Sequence, residues 1–133
     1  MKKSLFIILC LVFLSCSKED KVYTTIIGET YICKSASGSH SLYLIYEFTT
    51  DGKISIEERL DSETGELHDT NHGYFEYNHT ELKLKIQSVP DCETPGCFNN
   101  FTASVSDDRR SFTYEIWDIT IGGKRDLIFH IKE

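Results

Sequence analysis

The chain has 133 residues, 40% of them hydrophobic and 26% charged, with 21 acidic against 14 basic side chains and a formal charge of −7. That balance repels phosphate backbones and anionic headgroups, so it argues against nucleic-acid binding and against a basic, membrane-hugging face. The length suits one domain that buries roughly two-thirds of its unfolded surface.

At the amino terminus Met1, Lys2, Lys3 and Ser4 precede an apolar run over residues 5–14, followed by Ser15 and Cys16. This is the charged, apolar, small-residue order of an export signal. The run is too short to cross a bilayer, which takes about 20 apolar residues. Phe13, Leu14, Ser15 and Cys16 resemble the lipobox of bacterial lipoproteins, in which cleavage leaves the cysteine first and acyl chains such as palmitate are attached to it. The resemblance implies a signal peptide over residues 1–15 and an acylated Cys16 as the membrane contact. Several chains are needed because one chain, at about 0.8 kcal/mol per buried methylene, binds only marginally. Ser17, Lys18, Glu19 and Asp20 look like the Lys-acid-acid export signal of surface lipoproteins of the Bacteroidota. That likeness implies an outer-membrane lipoprotein exposed at the cell surface, with the periplasmic face as the alternative. Residues 16–25 read as a flexible polar tether.

Beyond Cys16 no stretch sustains a period near 3.6, whereas apolar and polar residues alternate between turn signals. A first strand is expected over residues 29–34. The next, over 41–49, puts Leu42, Leu44, Tyr46 and Phe48 on one face, and Asp51-Gly52 then turns the chain into a strand over 53–60 carrying Ile54 and Ile56. A polar connection over 61–71 is long for a hairpin and predicts either an ordered loop or a short extra strand. A strand resumes at His72. Residues 81–87 alternate most cleanly, with Leu82, Leu84 and Ile86 toward a core and Glu81, Lys83 and Lys85 toward water. After a loop with Pro90, Pro95 and Gly96 come three more strands: one with Phe101, Ala103 and Val105, one with Phe112, Tyr114 and Ile116, and one with Leu127, Phe129 and Ile131. About eight strands in sequential hairpins predict an all-β, antiparallel up-and-down meander. Eight are enough to close a barrel, which removes the edge strands.

Four stretches carry a resemblance to lipocalin-like domains of small bacterial lipoproteins: the opening strand IIGETYI, the hairpin FTTDGKI, the turn and strand NHTELKLKI, and the closing strand LIFHIKE. Such domains usually carry Gly-x-Trp at the first strand; here Gly28 is followed by Glu29, Thr30 and Tyr31. The resemblance covers residues 26–133 and implies a small barrel that binds a ligand.

Of five cysteines, Cys10 lies in the signal segment and Cys16 in the lipobox, which leaves Cys33, Cys92 and Cys97. CETPGC sets Cys92 and Cys97 across a Pro-Gly turn, a geometry that favours a disulfide in an oxidising compartment, with Cys33 a buried thiol in the first strand. A redox pair would need a shorter spacing and a helix start. His68, Asp69 and His72 are metal-ligand types, but around a loop and a strand start they need not converge, and a polar loop is the preferred reading. No nucleophile elbow, phosphate loop or helical zinc motif occurs, so no catalytic residue and no cofactor is expected. Glu57 and Glu58 read as solvated charge on opposite faces of a strand.

Two function classes remain. A carrier of a small apolar ligand would line an internal pocket with Leu44, Tyr46, Ile56, Leu84, Tyr114 and Phe129. An interaction module, such as an inhibitor or accessory subunit of an envelope complex, would have a filled core and make its contact through loops, above all residues 61–72 and 88–100.

Overall fold

The structure, a computed structural model, describes residues 21–37 and 39–133. The expected signal peptide over residues 1–15, Cys16, and the expected export signal at Lys18, Glu19 and Asp20 lie outside the described residues. Eight strands follow in order: β1 (Thr30–Ser37), β2 (His40–Phe48), β3 (Lys53–Leu60), β4 (Leu67–Asn78), β5 (Glu81–Gln87), β6 (Phe98–Val105), β7 (Ser111–Asp118) and β8 (Gly123–Ile131). Each pairs antiparallel with its neighbours in sequence, and β8 returns to β1, closing a barrel. The all-β, eight-strand meander expected from the alternation is the fold observed.

Alternation works as the strand period requires. In β5, Leu82 and Leu84 are buried and Ile86 half-buried, while Glu81, Lys83 and Lys85 are exposed. The β2–β3 turn depends on Gly52, whose φ of 81° is open to glycine without strain. The polar connection after β3 resolves into a loop over residues 61–66 and an early start to β4, which pairs with β3 from Leu67 on. A register shift between Glu58 and Arg59 marks the irregularity. The charged sequence hides this strand because, Leu67 apart, the outer face of its first half is polar, and its inner face there carries Asp69 and Asn71 instead of apolar residues.

Gly73 has a second reason to be glycine. β4 and β5 approach so closely there that a β-carbon would collide with the Lys85 carbonyl oxygen and stand 3.3 Å from Ile86 Cα. Gly73→Ala is expected to cost about 1–3 kcal/mol, the ordinary range for forced overpacking, measurable as a lower urea midpoint with unchanged slope.

The two ends of the barrel differ. At one end residues 21–29 fold across the opening, with Tyr23 and Ile26 buried and the Gly28 N–H donating to the Phe48 carbonyl at 2.6 Å. Tyr23 thus packs although it falls in the stretch read as tether. The opposite end holds the β1–β2, β3–β4, β5–β6 and β7–β8 connections and has no such plug among the described residues.

Candidate functional site

Of the six residues expected to line a pocket, Tyr46, Ile56, Leu84, Tyr114 and Phe129 are buried in one contiguous core, and half-buried Leu44 packs against it. Rings fill the centre. Phe112 stacks on Phe129 with centroids 4.5 Å apart, meets Tyr31 edge-on at 5.2 Å and Phe48 at 5.5 Å, and Tyr46 lies 4.4 Å from Phe129. Buried phenols need partners, and the Tyr46 and Tyr114 hydroxyls supply each other at 2.7 Å. Burial raises both phenol pKa values, that of Tyr114 to about 12, so both stay protonated. Cys33 lies in the same core as a free thiol, pushed up by burial and therefore unreactive.

Toward the open end the inner wall turns polar and half-exposed. Glu58 faces Asp69 across β3 and β4, on the inner side with Leu44 and Asn71. Burial first, then the Asp69 charge, raises the Glu58 pKa. A carboxyl with a raised folded-state pKa is a burden once ionised: stability is lost as pH rises from the ordinary glutamate range through the folded value. Glu58→Gln is therefore expected to raise the melting temperature at pH 7 and to have no effect at pH 3, which paired thermal melts would check. Solvated charge describes Glu57 but not Glu58.

The wall is weakest on both sides of β7–β8. β6 and β7 pair only at Ser104↔Thr113 and Val105↔Phe112, and β1 and β8 only at Tyr31↔Ile131 and Ile32↔His130. Toward the open end the β7–β8 ribbon continues, paired with itself through Asp118↔Gly123. Side chains bridge the two seams: Phe101 meets Tyr114 at 5.0 Å, and Arg125 Nη2 donates to Ser35 Oγ at 2.9 Å. The ribbon tip carries Trp117, Ile119 and Ile121, exposed by 65%, 86% and 64%. Together with Ile116 and Ala36 they line an open hollow of about 640 Å³. Asp118 and Arg125 pair at 2.9 Å and Glu115 and Lys124 at 2.7 Å, so four of the ribbon's five charged side chains are matched, Asp126 being the fifth.

The β5–β6 loop is clamped instead. Cys92 and Cys97 form the expected disulfide, with Cα atoms 5.8 Å apart. Glu93 accepts from Tyr74 Oη at 3.2 Å and lies 2.9 Å from His72 Nε2. By the loop-entropy account, Cys92→Ser with Cys97→Ser should cost about 2 kcal/mol, read as a lower urea midpoint in the absence of reductant. His72 faces outward on β4 while Asp69 faces inward, so strand alternation separates two of the three metal-ligand candidates. Among the described residues no three His, Cys, Asp or Glu side chains converge as a metal site would need.

The loop windows singled out from sequence are mostly strand or pinned loop and each exposes a single large apolar side chain, Leu67 and Val89, whereas three cluster at the β7–β8 tip. Its signal was present in IWDITIG, where apolar residues continue on both sides of a turn instead of giving way to polar ones. No protein-family model, curated protein or solved structure matches the chain.

Proposed function

We propose that the protein is a lipid-anchored, non-enzymatic interaction module of the outer envelope, which presents the β7–β8 tip to a protein partner. The observation that carries this reading is the filled interior: five of the six positions that would line a carrier's pocket are packed against one another. Space for an apolar ligand at those positions would require displacing rings from the core, whereas the tip offers apolar surface already free. Exposed tryptophan flanked by branched aliphatics is the composition of an interface hot spot.

Geometry argues for a protein rather than the anchoring bilayer. Lys21 lies at the plugged end, where its carbonyl accepts from Arg110 Nη2 at 3.2 Å. The tip lies at the other end of β7, a strand of 8 residues, hence about 25 Å away at the usual rise per residue. A domain tethered through Cys16 holds its tip away from its own membrane.

The test is a photo-crosslinking residue at Ile119 or, as a control at the plugged end, at Thr80, in intact cells. A single protein adduct is expected from Ile119 alone. Once identified and purified, that protein should bind at least tenfold more weakly to Trp117→Ala, the loss typical of a hot-spot residue. Adducts to lipid, none at all, or unchanged binding by Trp117→Ala would refute the assignment.

A further inference from the structure

A second concavity lies on the outer wall, on the side formed by β4, β5 and β6. Their register sets two outward rows side by side: Tyr74, Lys85 and Asn100 in one, Glu76, Lys83 and Thr102 in the other. Between the rows run the backbones of Phe75, Leu84 and Phe101, with the β2–β3 turn at Asp51 and Gly52 bounding one side. The half-open hollow has a volume of about 400 Å³, within the usual range of small-molecule sites, roughly 300–1,000 Å³.

Two features distinguish this hollow from ordinary strand grooving. Tyr74 is held in place: its hydroxyl donates to Glu93, and its ring packs against Phe98 at 5.7 Å and edge-on to His72 at 6.1 Å. A ring already fixed loses little freedom when something stacks on it. Lys85 stands directly opposite Tyr74 and, among the described residues, has no ion pair, whereas Lys83 lies 3.7 Å from Glu81. An unpaired ammonium beside a fixed aromatic face, with an amide, a hydroxyl and a carboxylate within the same two rows, fits a ring with one apolar face, one negative charge and a rim of hydroxyls. We infer that the hollow binds a hexuronate sugar. Tyr74 stacks on the C–H face of the pyranose, Lys85 meets its carboxylate, and Asn100, Thr102 and Glu76 bond its hydroxyls. This site is independent of the β7–β8 tip and of the partner proposed for it.

Affinity electrophoresis of the full-length protein in nonionic detergent tests the inference, through gels containing polygalacturonate, alginate, hyaluronan or neutral dextran. At least one uronate polymer should retard the protein and dextran should not. The net charge of −7 opposes any bulk attraction to a polyanion, so retardation reports a local site. Tyr74→Ala and Lys85→Gln should each weaken retention about tenfold, equivalent to roughly 1.4 kcal/mol, while Tyr74→Phe retains it. Equal mobility in all four gels, equal retardation by dextran, or retention untouched by both substitutions would overturn the inference. Lys85 is exposed, so Lys85→Gln keeps the test valid if Tyr74→Ala fails to fold.

Discussion

Phe112→Ala is expected to destabilise the barrel by about 3–5 kcal/mol, the range found for truncating a large buried ring. Phe112 is 1% exposed and lies within ring-contact distance of Tyr31, Tyr46, Phe48, Tyr114 and Phe129. Its removal would leave a void that strands fixed by ladders on both sides close poorly. Against a total stability of about 5–15 kcal/mol for a typical domain, the loss would remove a third or more of the folding free energy of all but the most stable domains. Urea titration with tyrosine fluorescence would measure it. A loss under about 1 kcal/mol, far below the cavity range, would mean that the centre is loosely occupied and would reopen the internal-ligand reading. Trp117→Ala makes the complementary case: at 65% exposure it should leave the urea midpoint almost unchanged.

Cys16→Ala is expected to have an all-or-none effect. If acyl chains on Cys16 are the anchor, at about 0.8 kcal/mol per buried methylene, their loss removes the attachment to the outer membrane and leaves only the uncleaved apolar run over residues 5–14, too short to span a bilayer. Metabolic labelling with palmitate should disappear, the precursor should keep Met1, and the protein should no longer fractionate with outer membrane. Labelling that survives the substitution would dismiss the lipobox resemblance. Replacing Lys18, Glu19 and Asp20 by alanine tests the other half of the address. Acylation should persist while digestion by external protease ceases, because the domain would then face the periplasm.

Strand number, order and the face of almost every inward residue were legible in the alternation, because period-2 burial is a local property that each strand writes in its own sequence. Residues 81–87 are the clearest example, and the Cys92–Cys97 link followed from a five-residue separation across a turn. What the chain does not write locally is how far neighbouring strands stay paired. The early exit of β7 from β6 is a matter of pairing between strands, so how far the ribbon runs free could not be seen in residues 111–118, although the apolar character of its tip is written in IWDITIG. The same holds for the outer hollow: Tyr74, Lys85 and Asn100 come from three strands, and only the register aligns them. Glu58 reads as solvated in sequence for a related reason: its burial first, and then its neighbour Asp69, depend on a strand pairing that the polar sequence of β4 conceals.

The mutual hydroxyl contact of Tyr46 and Tyr114 has a consequence for how faithfully the chain assembles. A hairpin that slips by two residues still keeps its greasy side inward, so hydrophobicity alone tolerates the mistake. It would, however, carry the two phenols apart and strand each oxygen in a dry interior, at a penalty of about 1–3 kcal/mol apiece. A single polar handshake between β2 and β7, residues far apart in the chain, thereby proofreads the alignment of the hairpins between them.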